Sequence, residues 1–402
     1  MDATVGARLR SAYEDLHRHP ELSDQEHRTA GIAAEWLRQH GYQVHEGVGT
    51  TGVVGMLRRG DGPTVLLRAD MDALPVSEAT GLPYASAVDG VMHACGHDMH
   101  VTCLLGAAAE LAAAGEQWHG TLIAAFQPAE ELATGAQGMV DAGLYDKVPR
   151  PDIVLGQHVA PLPAGMLGLR PGAAFAASDS LRITLHGRGG HGSRPETTVD
   201  PVVLAAATVL RLQTIVSREV SGSDTAVLTV GASNAGTKSN IIPDRAELLV
   251  NVRTYSLEVR TRILAAIERI VRGEAQTAGA PQAPTIEPLD VAPAVINDAE
   301  GAARTRPALE SVVGIGRVVD PGPVTGSEDV GVLAQAAGAP IVYWLLGGAE
   351  PAHFAGAASQ EQLAQVVGGL PSNHSPHYYP VPNPTIEVGV GALVAAARNW
   401  LG

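Results

Sequence analysis

His93 to Glu131 reads HACGHDMHVTCLLGAAAELAAAGEQWHGTLIAAFQPAEE, and this stretch decides the architecture. Val101 to Ala114 is alanine-rich and apolar over a helical length, and alanine is the strongest helix former. Thr121 to Phe126 is a short apolar run between polar neighbours, the signature of a strand buried on both faces. The same alternation holds upstream. Arg8 to His17 carries Leu9, Tyr13 and Leu16 at helical spacing, and Glu26 to His40 carries Ile32, Ala33, Trp36 and Leu37 before Gly41, a plausible C-terminal stop. Thr64 to Leu67 (TVLL) and Asp152 to Gly156 (DIVLG) are further apolar strands. The expectation is an α/β catalytic domain, a mostly parallel central sheet with helices on both faces.

Around Ala177 the pattern changes. Asp179 to His186 alternates as a strand, and a helix begins at Pro201 with Asp200 as its cap and proline at the favoured first position. Strands at Ala226 to Gly231 and Ala246 to Arg253 follow, then a helix from Leu257 to Arg272 and a strand near Thr285 to Leu289. The order β-α-β-β-α-β is the split βαβ, ferredoxin-like unit. It is expected as an α+β lid over 178–290, inserted into a catalytic domain built from 1–177 and 291–402.

Chemistry gathers where the strands of the first domain end. Three histidines, a cysteine and an aspartate fall within His93 to His100, and the imidazole of His97 and the thiolate of Cys95 suit Zn²⁺ or a neighbouring first-row ion. Helix capping accounts for Asp98 and one histidine but leaves Cys95 and His97 unexplained. Glu130 and Glu131 follow the strand at Thr121, Asp70 and Asp72 follow the strand at Thr64, and His158 follows the strand at Asp152. In an open α/β sheet the crevice outside the carboxyl ends of the strands is the ligand site. Adjacent side chains on extended backbone point apart, so one of Glu130 and Glu131 can bind metal while the other faces substrate. Far downstream, His374 and His377 stand in a proline-bounded loop, PSNHSPHYYP from Pro371, and either could be a last ligand.

Composition narrows the class. The 402 residues exceed what a single core usually fills. Aromatic residues make up 4% of the chain, so the cores must be built from Ala, Val, Leu and Ile. A formal net charge of −15 supplies no basic stripe for a phosphate backbone, so nucleic acid is not an expected partner. Two cysteines, Cys95 and Cys103, leave no disulfide framework, and a reducing compartment suits a thiolate ligand. The first twenty residues lack an apolar signal core, and no uninterrupted apolar stretch approaches about 20 residues, the length that spans a bilayer. A cytoplasmic protein without membrane contact is expected.

HPELS (His19 to Ser23), RADMDALP (Arg68 to Pro75), HACGHDMH, QPAEE (Gln127 to Glu131), GGHGSRPE (Gly189 to Glu196), NIIPD (Asn240 to Asp244), GSED (Gly326 to Asp329) and NHSP (Asn373 to Pro376) occur in this order. With these motifs the chain resembles the metal-dependent aminoacylase and carboxypeptidase family, in its branch of hippurate hydrolases, N-acyl-amino-acid amidohydrolases and auxin-conjugate hydrolases. The resemblance implies two divalent metal ions per chain, zinc first and manganese, cobalt or nickel as alternatives. It implies Cys95 as bridging ligand, His97, Glu131, His158 and His374 as further ligands, and Glu130 as general base, with Asp70 and Asp72 orienting the ligands. It makes His191, in the GGHGS turn, the candidate donor to the oxyanion, and Asn240 and Arg253 the candidates for the substrate's α-carboxylate. The implied substrate is an N-acyl amino acid. A homodimer through the lid is also implied, and the apolar face of Leu257 to Arg272 and an outer strand edge of the lid offer a surface for it.

The sequence departs from the family at Leu132, Ala133 and Thr134, where glycines are usual, and at Glu196, where histidine is common. The first change should stiffen or narrow the pocket beside Glu130. A dipeptidase or a deacetylase of an amino-acid metabolite would use the same metals. A catalytically silent binding protein would lack a reason to keep every ligand and the base, and a structural zinc module would not need Glu130 beside Glu131.

Overall fold

A computed structural model describes residues 3–357 and 359–402; Met1 and Asp2, where the expected catalytic domain begins, lie outside them. The chain divides into two compact units. The first comprises Met1–Ala174, Val295–Pro323 and Asp329–Gly402, and the second Phe175–Ala294 with Val324–Glu328.

The first unit is built on an eight-stranded mixed sheet. Its middle is parallel: Gly120–Gln127, Thr64–Asp70, Ile153–Pro163 and Ile341–Ala349 lie side by side in that order. Gln43–Glu46 and Val53–Arg59 extend it antiparallel on one flank, and the two-residue strands Leu167–Gly168 and Val318–Val319 close the other. Every residue of Gly120–Gln127 is buried. Val65, Leu67, Leu122, Ala124, Ile153 and Leu155 join the core cluster formed with the flanking helices. The alternate residues Leu66, Ile123 and Val154 are equally buried, so both faces of the sheet are covered, as the unbroken apolar runs require. The helix His97–Ala113 packs on the central strands and against Ala3–Arg18, His27–Gln39 and Pro382–Leu401. Gly135–Asp141 and Gly331–Ala337 contact the sheet and each other.

Strand ends differ from the expectation at one point that matters. The strand carrying His158 does not stop at Gly156 but runs from Ile153 to Pro163, pairing with Ile341–Ala349 so that His158 lies opposite Leu345. Asp70 pairs with Gln127, and Arg68 with Gly156. His158, two residues beyond Gly156, is therefore level with Asp70 and the end of the neighbouring strand. It reaches the carboxyl edge from within a strand because one neighbour, Thr64–Asp70, ends at its level, while the other, Ile341–Ala349, runs on beside it.

The second unit is a four-stranded antiparallel sheet, ordered Ala226–Ala235, Arg245–Thr254, Ala177–His186 and Thr285–Ala292. The helices Pro201–Thr214 and Leu257–Thr277 pack together and share the sheet's core, through Leu204 and Leu212 from one and Ile263, Ile267 and Val271 from the other. This is the split βαβ order read from the sequence. Asp200 accepts from the Val202 backbone N–H and Ser256 from that of Val259, the caps that start the two helices. Among the described residues one helical stretch, Pro201–Glu219, is long and apolar enough by composition to cross a membrane, but its Leu204, Leu212 and Ile215 are core residues of this unit.

Candidate metal centre

The HACGHDMH segment reaches the sheet edge through a turn that only glycine permits. Gly96 has φ of 85°, and a Cβ there would stand 2.5 Å from Val159 Cγ1. Cys95 precedes this turn on the loop, and His97 opens the helix His97–Ala113. The two side chains thereby converge with His158, and one ligand atom from each lies within 4.8 Å of the others. Cys95 Sγ and His158 Nε2 are 3.6 Å apart. A second set formed by Cys95, Glu131 and His374 meets the same limit, and His374 Nε2 lies 3.4 Å from Glu131 Oε2. Cys95 belongs to both. All five residues expected as ligands are therefore brought together in the first unit. His377 is not: its Nδ1 donates to the Ala79 carbonyl, 2.9 Å away.

The histidines present the right atoms. His158 Nδ1 donates to its neighbour's carbonyl at Val159, 2.8 Å, which leaves the Nε2 lone pair facing Cys95. Burial, reinforced by His100, holds its pKa well below the ordinary value, so the ring is neutral as a ligand must be. His97 Nδ1 faces Asp72 Oδ1 at 3.3 Å, the carboxylate–histidine pairing that fixes a ligand's tautomer. His97 Nε2 and Glu131 Oε1 are buried and have no hydrogen-bond partner. Orphaned atoms of this kind are costly unless something satisfies them, and here they stand among a thiol, two carboxylates and two imidazoles. Burial alone would lower the His97 pKa, yet the negative groups around it, Asp70 first, hold it well above the ordinary value. The Cys95 thiol is pushed up to about 12 by burial and by the Glu131 carboxylate. The carboxylates around His97 favour positive charge at that point, and the donor set fits divalent first-row ions.

The carboxylates are held from behind. Asp72 Oδ2 accepts from the Glu131 backbone N–H at 3.0 Å and from Ser23 Oγ at 2.7 Å. Asp70 Oδ1 accepts from His100 Nδ1 at 2.5 Å, and His100 Nε2 accepts in turn from the Val159 N–H at 2.7 Å. Glu26 accepts from the Ala129 N–H at 2.9 Å, fixing a residue with φ of 47° just ahead of Glu130. Ala133 and His374 also have positive φ, 52° and 73°. Three non-glycine residues in left-handed backbone thus border the centre, strain of the sort that collects at functional sites. A glycine at position 133 would sit without strain. Leu132, expected to narrow the pocket, is 48% exposed. Asn373 spans the centre's two halves, donating to the carbonyls of Cys95 and Val159 at 3.0 and 3.2 Å.

Beneath the edge lies a fully buried guanidinium. Arg68 donates to Asp70 Oδ2 at 2.7 Å, Gln127 Oε1 at 2.9 Å, Asp329 Oδ1 at 3.1 Å and the Tyr343 hydroxyl at 3.2 Å. It joins the RADMD, QPAEE and GSED motifs into one network. Replacing Arg68 with methionine takes the guanidinium from two buried carboxylates, and the urea unfolding midpoint should fall by the equivalent of about 3 to 5 kcal/mol. Sequence reasoning passed over Arg68, His100, Glu26, Ser23 and Asn373, although all but Glu26 lie inside one of the motifs.

The remaining site candidates belong to the second unit. His191 pairs with Ile241 in a two-stranded ladder, and its Nδ1 accepts from the Ser193 N–H at 3.1 Å. The Asn240 carbonyl accepts from the Gly192 N–H at 2.9 Å, so His191 and Asn240 share one turn region. Arg253 donates through Nη1 to the Thr325 carbonyl at 2.8 Å and to Ser327 Oγ at 3.0 Å.

Residues 66–365 match the Peptidase family M20/M25/M40. The chain is 46% identical over 263 residues to hippurate hydrolase of Campylobacter jejuni, covering 65% of this chain and 68% of that one. It is 39% identical over 282 residues to N-acetylcysteine deacetylase of Bacillus subtilis, covering 69% and 73%. The crystal structure of the Bacillus subtilis YXEP protein, described as a dinuclear metal binding peptidase, superposes with a TM-score of 0.81 at 29% identity over 100% of this chain and 99% of that one. With the motifs in order, the sheet in place and the ligand sets assembled, the chain belongs to the M20/M25/M40 peptidase family.

Proposed function

We propose that this chain hydrolyses the amide bond of N-acyl amino acids as a metal-dependent amidohydrolase. The observation that carries the reading is the pair of ligand sets sharing Cys95, with the carboxylate of Glu130 beside them: Glu130 Oε2 is 3.8 Å from His97 Nε2. Relatives named for hydrolysing hippurate and deacetylating N-acetylcysteine support the substrate class.

Cys95, His97 and His158 would hold one divalent ion, and Cys95, Glu131 and His374 the other, with zinc the first choice for a thiolate and imidazole set. When bound, such ions polarise the scissile carbonyl and lower the pKa of a water toward about 7. Glu130 takes the proton of the attacking water on its carboxylate and delivers it to the leaving amine nitrogen, one group serving as base and then acid. Asp72 keeps His97 oriented and Ser23 keeps Asp72 oriented. His191 serves as donor to the oxyanion of the tetrahedral intermediate. Asn240 and Arg253 recognise the α-carboxylate. A reducing compartment, the cytoplasm, suits Cys95.

The reading is tested by a panel of N-acetyl and N-benzoyl amino acids against dipeptides on metal-loaded protein. Preference for the acyl amino acids is expected; turnover of dipeptides alone would reassign the chain as a dipeptidase.

Arg253→Ala should raise KM for N-acyl amino acids by roughly ten- to hundredfold, the equivalent of a charge-assisted hydrogen bond of about 1.5 to 3 kcal/mol. Carboxamide analogues should be poor substrates of both proteins, and Arg253→Lys should recover part of the loss because a point charge lacks the bidentate fork. Equal losses on acid and carboxamide would leave Arg253 only its bonds to Thr325 and Ser327.

Dimerisation is expected through the second unit. The apolar face of Leu257 to Arg272 does not offer the expected surface, because Val259, Ile263, Ile267 and Val271 are buried in the unit's own core. Val203 and Leu210 are instead 65% and 74% exposed on the helix Pro201–Thr214, and Ala226–Ala235 is an edge strand. Small-angle scattering should give twice the monomer mass at micromolar concentration; a monomer would remove the dimer from the assignment.

A further inference from the structure

His17 takes no part in the chemistry described above, yet it is the charged hub between two segments that deliver ligands. It sits at the end of the helix Ala3–Arg18, fully buried. Its Nδ1 lies 2.6 Å from Asp98 Oδ2 and its Nε2 3.3 Å from Glu78 Oε1. Two carboxylates on one ring require both ring nitrogens to donate, so the imidazolium is the form that satisfies the geometry. Consistent with this, burial opposes the charge but Asp98 and Glu78 outweigh it, and the pKa rises to about 9.

Each carboxylate leads to a ligand. Asp98 follows His97 in the first turn of its helix and also accepts from the Met99 N–H at 2.9 Å. Glu78 lies in the segment after RADMDALP and accepts from the Ser86 N–H at 2.6 Å and from the Thr80 hydroxyl. Its neighbour Ala79 clamps the distant loop by two bonds: the Ala79 N–H donates to the Pro376 carbonyl at 2.8 Å, and the Ala79 carbonyl accepts from His377 Nδ1 at 2.9 Å. Between Pro371 and Pro376 stands His374, whose own N–H donates to the Ala94 carbonyl at 2.8 Å and whose φ of 73° needs support from its surroundings. Tyr13, one turn before His17, donates to the Pro380 carbonyl at 3.1 Å at the other end of the loop.

We propose that His17 is a positioning residue of the metal centre, joining the turn that carries His97 to the segment that clamps the His374 loop through its paired contacts with Asp98 and Glu78. The inference rests on the metal-centre reading above. It assigns the two arms different tasks: the Asp98 arm supports the set with His97 and His158, and the Glu78 arm supports the set with Glu131 and His374.

Isosteric variants separate the arms. An asparagine amide nitrogen falls near the place of Nδ1 and a glutamine amide nitrogen near that of Nε2. Chelator-stripped wild type, His17→Asn, His17→Gln and Glu78→Ala are titrated with Zn²⁺ alone by calorimetry, and thermal unfolding of each metal-free chain is recorded. Wild type takes up two ions. His17→Asn and Glu78→Ala, which lose the Glu78 arm, should bind one ion as wild type does and the other about ten- to hundredfold more weakly, the usual cost of removing a residue that orients ligands. His17→Gln, which keeps that arm, should restore much of the loss at that ion. If His17→Asn takes up both ions with wild-type affinity, or if all variants weaken both ions in step with lost thermal stability, the positioning role is overturned and the metal centre stands. If wild type itself takes up fewer than two ions, the metal-centre reading falls and this inference with it.

Discussion

Glu130→Gln should keep both metal ions and the fold while kcat falls by a hundredfold or more, the loss typical when a general base is removed, on the order of 10² to 10⁴. Glu131→Gln should instead lose metal. The two side chains are neighbours and similarly buried, so the distinction rests on what each faces. Glu131 belongs with Cys95 and His374 in one ligand set, its Oε1 is buried without a hydrogen-bond partner, and its backbone is fixed by Asp72. An amide at 131 would place a donor or a weak acceptor where a charged ligand is needed. Glu130 stands beside the set that Cys95 shares, close enough to His97 Nε2 for its carboxylate to meet the reacting water, and an amide there keeps the shape but accepts no proton. Elemental analysis of both variants with steady-state kinetics on one N-acyl amino acid decides it. Metal lost from Glu130→Gln and retained by Glu131→Gln would exchange the two roles.

The alternation of apolar runs made the central sheet legible because parallel strands are buried on both faces and cannot hide among polar residues. The inserted unit was legible for a different reason: its strand Asp179 to His186 alternates and its first helix carries an explicit cap at Asp200, whereas the Ser256 cap of the second helix is seen only in the structure. What escaped were the groups whose meaning depends on distance in sequence. Arg68 looks like a charge at a strand end, and only the fold places Asp329, 261 residues away, against its guanidinium. Glu26 reads as the start of a helix, yet its carboxylate holds Ala129. His158 was expected just past a strand, but the strand continues to Pro163 and the residue reaches the edge through register. Residue type pointed to Cys95 and His97 and the resemblance implied Glu131, His158 and His374 as well; the fold brings all five together.

Stripping the protein of divalent ions should abolish amide hydrolysis, and reloading should restore it at two ions per chain. Five candidate ligands exceed the four positions of a single tetrahedral ion, and the two sets can be filled together only if Cys95 is shared. Loading should also displace protons. Cys95 holds its proton to about 12 and His97 holds one well above the ordinary imidazole range, so at neutral pH both are protonated until a cation replaces them. About two protons should therefore leave each chain on loading, since a metal ligand must be deprotonated. The sign follows: affinity rises with pH, by about tenfold per pH unit for each proton displaced, and acid favours the metal-free chain. Calorimetry in buffers of different ionisation heat measures the protons, and elemental analysis the ions. One tightly held ion with full activity after exhaustive chelation would contradict the two-ion centre, and loading without proton release would mean that Cys95 is not a ligand.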